Sequence, residues 1–183
     1  MPALFPPDSA ATLDAPERLI LLPPDQLLAC LPLVPGLRFV DVGCGTGTFF
    51  FPVFERLKGE GVFVAVELQE EMLRRFLSRL EAYAEHPRFM RIEAARAKPD
   101  RLPLPDSSAD LLLLAETYRE IERRPQYLAE LRRVLSPHGT LCLLEERARL
   151  SEREALDELE RAGFAWVVSH SGFQAHWCLT ARK

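Results

Sequence analysis

The stretch Val40-Asp41-Val42-Gly43-Cys44-Gly45-Thr46-Gly47 decides the fold. It opens as a buried strand, apolar and β-branched around one carboxylate. Gly43, Gly45 and Gly47 then remove every second Cβ, so the backbone can take positive φ and approach a ligand closely. Thr48, Phe49 and Phe50 open a helix. A glycine turn ending at a helix N-terminus suits a nucleotide-like group.

Working outward from that turn, the pattern alternates strand and helix. Pro23-Pro24-Asp25 starts a helix with Leu27, Leu28, Leu31 and Leu33 on its apolar face, ended by Pro35-Gly36. Leu37 to Val42 is the first strand. The helix after the turn carries Phe49, Phe50, Phe51, Val53, Phe54 and Leu57, and tolerates Pro52 if that residue falls in its first turn. Val62 to Glu67 is the second strand and Gln69 to Tyr83 a helix, with Met72, Leu73, Phe76, Leu77, Leu80 and Tyr83 on its apolar stripe. Phe89 to Glu93 reads as a third strand, Ala94 to Ser108 as a polar loop, and Asp110 to Ala115 as a fourth strand. Pro125 to Leu135 is a helix, Ser136-Pro137-His138-Gly139 a turn, and Thr140 to Glu145 a fifth strand. Ser151-Glu152-Arg153-Glu154 has the form of a capping box for a helix running to about Ala162. Phe164 to Ser169 and Phe173 to Thr180 form a hairpin across His170-Ser171-Gly172.

This alternation specifies an α/β fold: a doubly wound, mostly parallel sheet with helices on both faces and one antiparallel strand from the final hairpin. The 183 residues suit a single domain over 1–183, with proline-rich residues 1–22 as an N-terminal extension or lid. Hydrophobic content of 48% with 27% charged residues is that of a soluble protein, and no apolar run is long enough to span a bilayer. Met1 to Pro7 lacks a basic region and an apolar core, so a cytoplasmic protein without membrane partners is expected. The net charge of −4 argues against a nucleic-acid partner. Cys30, Cys44, Cys142 and Cys178 have no metal-binding spacing, so no metal site is expected. Packing of the turn is preferred to catalysis for Cys44.

Ligands of open parallel sheets sit at the carboxyl ends of the strands, near the point where strand order reverses. The glycine turn, Glu67 and the strand end from Ala115 to Tyr118 converge there. Glu67 follows Gly47 by 20 residues and ends the next strand, where a carboxylate can accept both ribose hydroxyls. The alternative for Glu67 is a first-turn helix carboxylate. A dinucleotide turn places its third glycine one position later, and a P-loop lysine is missing.

The spacing from Asp41 to Gly47 resembles the first motif of class I S-adenosylmethionine-dependent methyltransferases. Other segments agree in order: Glu67-Leu68, Leu102 to Asp110, Leu131 to Thr140, and Ala162-Gly163-Phe164. The resemblance covers about residues 13–183 and is nearest to the small-molecule type related to quinone-biosynthesis C-methyltransferases. It implies strand order 3-2-1-4-5-7-6 and S-adenosylmethionine as cofactor. It also implies cofactor contacts at Asp41, Gly43, Cys44, Gly45, Gly47, Glu67, Leu68, Ala95 and Ala115, with Leu68 packing on adenine and backbone groups of Ala95 or Arg96 meeting the adenine amino group. Catalytic candidates after the fourth strand are Glu116 and Tyr118, with Glu120 beside them. Glu116 can serve as a base, bind cofactor or cap a helix; Tyr118 can orient a substrate or simply pack. The expected reaction is methyl transfer to a small-molecule acceptor. The alternative is a non-catalytic cofactor-binding sensor or partner subunit. A homo-oligomer is compatible with the chain and not required by it.

Overall fold

The computed structural model describes residues 4–87 and 91–183. Its first strand, β1 (Arg38–Val42), is buried from Phe39 onward. Alternation along the strand sorts its side chains: Phe39 enters one layer, while Val40 and Val42 enter the other. Both faces of the sheet are therefore apolar, as helices on each side require. The other strands are β2 (Val62–Glu67), β3 (Ile92–Arg96), β4 (Ala109–Ala115), β5 (Leu135–Glu146), β6 (Ala165–His170) and β7 (His176–Arg182). Their order is β3-β2-β1-β4-β5-β7-β6. Pairing is parallel from β3 through β5, and β7 runs antiparallel between β5 and β6.

Among the described residues, six α-helices complete the layers: α1 (Pro16–Leu21), α2 (Pro24–Leu28), α3 (Phe50–Arg56), α4 (Glu70–Leu80), α5 (Arg124–Val134) and α6 (Glu152–Arg161). Residues from α2, α3 and α4 pack on one face, with Phe50, Phe54 and Phe63 at its centre. Phe51 stacks between Phe76 at 5.2 Å and Tyr83 at 4.7 Å. Such ring pairs contribute about 0.5–1.5 kcal/mol each beyond area burial. Residues of α5 and α6 cover the other face through Leu128, Leu131, Val134 and Leu159. Pro52 sits in the first turn of α3, where no amide bond is lost.

Several local expectations are corrected. The helix expected up to Pro35 is only the five residues of α2. The third strand lies three residues later than its pattern suggested, since Ile92–Arg96 pairs with Phe63 to Glu67; Phe89, at the start of the expected strand, lies outside the described residues. As an edge strand, β3 packs mainly on one neighbour, so Ala94 and Ala95 suffice where a central strand would need larger residues. Ser136 to Gly139 does not separate α5 from the fifth strand. It is a bulge inside β5, where Ala109 pairs with Leu135 but Leu111 already pairs with Thr140. Ser151 precedes α6 without a side-chain capping bond, and the Glu154 carboxylate instead pairs with Arg124. The final hairpin closes through a wider loop than His170-Ser171-Gly172, because β7 begins only at His176 and Phe173 is buried in the connection.

Residues 4–22 lie across the carboxyl ends of the strands. They comprise a 3₁₀ segment, Pro7–Asp14, followed by α1. Asp14 accepts from Thr48 Oγ1 at 2.9 Å and Arg79 Nη1 at 2.8 Å. Gln69 Nε2 donates to the Phe5 carbonyl at 2.9 Å. This cap is held by side chains from the elements that flank the glycine turn. Among the described residues, no helix is long and apolar enough to cross a membrane.

Candidate functional site

The strand order reverses between β1 and β4, and two cavities meet there. The first, about 290 Å³, lies under the cap and is lined by Leu13, Arg18, Asp41, Gly43, Cys44, Gly45, Glu67, Ala115 and Glu116, among others. The second, about 640 Å³, opens beside Leu68, Ala97, Lys98, Pro99 and Ile121. Gly43, Glu67, Gln69, Thr117 and Glu120 line both. A ligand with one polar end and one flat apolar end can therefore span the junction.

Gly43 and Cys44 donate their amides to the Val66 carbonyl at 2.7 and 3.2 Å, which ties the turn to β2. Gly45 donates to Glu67 Oε2 at 3.0 Å, and Gln69 donates to Oε1 at 2.9 Å. These turn amides are thus used within the protein. What the turn offers a ligand is space. Gly43, Gly45 and Gly47 all have positive φ. A Cβ on Gly43 would fall 2.4 Å from the Thr117 side chain, and one on Gly45 would fall 3.2 Å from Leu13 of the cap. Gly47 belongs to neither cavity wall; its missing Cβ accommodates Phe51, at 2.5 Å, and Phe76. Its placement is a packing role.

Glu67 stands at the junction of the two cavities, buried, with both oxygens already engaged. Asp41 is buried beside it. Burial first, and then the Glu67 carboxylate, push the Asp41 carboxyl up to about 8, and no hydrogen bond or cation opposes them. A buried carboxyl without a partner in a cavity wall fits a ligand that brings positive charge. The donor set therefore fits S-adenosylmethionine, whose methionine end is cationic at sulfur and nitrogen. Burial, with Asp41 and Glu67 adding to it, raises the Cys44 thiol well above its usual range. That removes the thiolate a nucleophile would need.

Leu68 lines the second cavity as expected of an adenine-packing residue. Ala95 does not. The displacement of β3 puts Ala95 inside the strand, paired with Val66, and brings Ala97 and Lys98 to the cavity instead.

Glu116 and Tyr118 separate. Glu116 lines the first cavity and takes φ of 55°, an uncommon conformation for a residue with a side chain. Its Oε1 meets His176 Nε2 at 3.0 Å, and its Oε2 accepts from Arg18 of the cap. Burial works to raise its pKa, but His176 and Arg18 outweigh it and hold the carboxyl at about 2. Tyr118 is fully buried, away from both cavities, and donates to Glu158 Oε2 at 2.6 Å. It packs beneath α6 and stands outside the site. Arg119 is engaged by the buried Glu145 through two 3.0 Å bonds. Sequence reasoning did not find Arg18, Thr117, His176 or the Ala97 to Pro99 segment. Only Thr117, next to Glu116 after the fourth strand, had a positional signal.

Comparison with known proteins agrees with this geometry. A family model described as "Methyltransferase domain" matches residues 40–143. The ubiquinone/menaquinone biosynthesis C-methyltransferase of Azotobacter vinelandii is 33% identical over 113 residues, 60% of this chain and 42% of that protein. The 27-O-demethylrifamycin SV methyltransferase of Amycolatopsis mediterranei is 31% identical over 177 residues, 92% of this chain and 61% of that one. The chain therefore spans less than two thirds of the length of these curated relatives, 42% of one and 61% of the other. A solved S-adenosylmethionine-dependent methyltransferase from Aquifex aeolicus superposes with a TM-score of 0.89 at 25% identity, covering 98% of this chain and 99% of that one. A glycine turn, a junction carboxylate, the 3-2-1-4-5-7-6 sheet and these likenesses all agree, and the chain belongs to the S-adenosylmethionine-dependent methyltransferase family.

Proposed function

We propose that this chain transfers a methyl group from S-adenosylmethionine to a small-molecule acceptor held under the cap. The observation that carries the reading is the pair of cavities meeting at Glu67, with the unpartnered Asp41 carboxyl in the wall of the smaller one. The donor's adenosine belongs in the larger cavity, against Leu68, with Ala97 and Lys98 on its edge. Glu67 would exchange its bonds to Gly45 and Gln69 for ribose hydroxyls. Asp41 would balance the cationic methionine end.

When bound, S-adenosylmethionine supplies an electrophilic methyl group on a sulfonium. The chain's own contribution is alignment and exclusion of water, the main requirements of an in-line displacement. The cap lines the smaller cavity through Leu13 and Arg18, across from Ala115 and Glu116. Glu116, held ionised by His176 and Arg18, is a weak base and serves as an anchor. The relatives' names include a C-methyltransferase and a methyltransferase of an O-demethylated substrate, so the accepting atom is left open between carbon and oxygen. A single cytoplasmic domain with residues 1–22 as its lid completes the reading.

A screen of metabolite extracts with isotopically labelled donor tests turnover. Transfer of label to a small molecule is the expected result. Tight S-adenosylhomocysteine binding with no transfer to any extract would favour the non-catalytic sensor. Tight NAD binding with no response to S-adenosylhomocysteine would overturn both.

A further inference from the structure

The cap places a charged side chain where the acceptor should lie. Arg18 lines the smaller cavity and donates Nη2 to Glu116 Oε2. Its Nη1 donates to the Leu13 carbonyl at 2.5 Å, and its guanidinium lies 5.6 Å from the Phe49 ring centre. Leu13 in turn rests on Gly45, whose Cα faces the Leu13 methyl. A donor that reaches the Gly45 backbone meets the Leu13 methyl above it and would push it aside. The Leu13 carbonyl is tied to Arg18, so displacement of one draws the other away from Glu116.

Glu116 stays behind. Its amide donates to the Leu144 carbonyl at 2.7 Å, which fixes the backbone to the tip of β5. His176 still holds Oε1. Oε2 is left as an ionised oxygen on a mostly buried side chain, an arrangement that costs free energy until a donor replaces the lost one. The other cations on the cavity wall are committed: Arg119 to Glu145 at 3.0 Å and Arg149 to Glu146 at 3.4 Å.

We propose that Arg18 is an internal stand-in for the acceptor, and that the acceptor carries a cationic N–H group, a guanidinium, amidinium or ammonium, that takes the place of Arg18 on Glu116. The inference rests on reading the smaller cavity as the methyl-transfer site. It also predicts order: the donor binds first, and its arrival opens the acceptor position.

The test uses methylguanidine as probe, N-methylurea as its neutral isostere, and the full chain, followed by calorimetry first without and then with saturating S-adenosylhomocysteine. Without it, Arg18→Gln should bind methylguanidine at least tenfold more tightly than the unmutated protein; at saturation the unmutated protein should approach the affinity of the variant, and neither protein should bind N-methylurea. Adding Glu116→Gln should abolish the gain. Equal binding of the two probes, or a gain that survives Glu116→Gln, would overturn the proposal. In the unmutated protein, millimolar methylguanidine should speed protease cleavage within residues 4–22 severalfold, while N-methylurea should not. Equal cleavage with both probes would also overturn it. Failure of S-adenosylhomocysteine to bind at all would refute the methyltransferase reading itself, which keeps the two failures apart.

Discussion

Replacing Asp41 by Asn tests the cofactor site through its protons. Burial and the Glu67 carboxylate set the Asp41 pKa at about 8 in the ligand-free protein. At pH 7 the carboxyl is then roughly 90% protonated. A ligand that brings an ammonium or sulfonium into the cavity favours the ionised form, so binding must release close to one proton at pH 7. If Asp41 is fully ionised in the complex, affinity rises roughly 25-fold between pH 6.5 and 8.5 and levels off above pH 9. S-adenosylhomocysteine is the suitable ligand, being stable and carrying the ammonium. The assay is calorimetric titration at pH 7 in two buffers of different ionisation enthalpy, which yields the proton count directly. Asp41→Asn should remove the proton release and flatten the pH profile. Equal proton release in the variant and the parent would refute the assignment, as would no release in the parent. Stability of the ligand-free protein gives a second sign. Because the folded pKa lies above the ordinary value of 3.8, the contribution of Asp41 is complete at low pH and is lost as pH rises through about 8. The loss is at most about 1.4 kcal/mol per pH unit in that window. Asp41→Asn should therefore raise the melting temperature at pH 8 more than at pH 5.

Other perturbations separate binding from packing. Glu67→Ala should weaken S-adenosylhomocysteine binding by about 1–3 kcal/mol, the scale of losing hydrogen bonds to a charged acceptor; unchanged affinity would remove Glu67 from the site. Gly47→Ala should lower thermal stability by about 1–3 kcal/mol through its contacts with Phe51 and Phe76 and its positive φ. The folded fraction of that variant should keep its ligand affinity, because Gly47 lines neither cavity. Cys44→Ala should preserve methyl transfer to within a few-fold, and the thiol should resist alkylation in the folded protein until it unfolds; fast alkylation would show that the turn is open. Asp14→Ala removes the bonds from Thr48 and Arg79 that pin the cap, and should speed proteolysis within residues 4–22 severalfold.

The central strands were readable because their physics is local. Between two helical layers, β1, β2 and β4 must be apolar on both faces, and Val62–Glu67 appears in the structure at its expected limits. The edge strand β3 escaped that rule. Only part of its surface is covered, so Ala94 and Ala95 carry too little apolar signal to mark its position. The bulge in β5 was misread for a related reason: Ser-Pro-His-Gly has turn chemistry, and the sheet accommodates that chemistry without ending the strand. Ser151 had the residues of a capping box, yet Arg124, 30 positions away, outcompetes the cap for Glu154.

The same division runs through the site. Asp41, Gly43, Gly45 and Glu67 lie within one strand–helix–strand unit, so spacing alone brings them to one place. Glu116 was visible only as a carboxylate at a strand end. Its partners are Arg18, 98 residues earlier, and His176, 60 residues later, and neither separation has a sequence signature. Those partners reverse what the residue can do. An exposed carboxylate at that strand end would have a pKa near its ordinary value and could exchange protons with an acceptor. Clamped between a guanidinium and an imidazole, Glu116 keeps its charge until pH falls towards about 2, is a weak base, and attracts cations. The tertiary contacts thus turn a candidate base into an anion stabilised by the cation and the imidazole beside it, and the proposed exchange of Arg18 for an acceptor's N–H group follows from that demand.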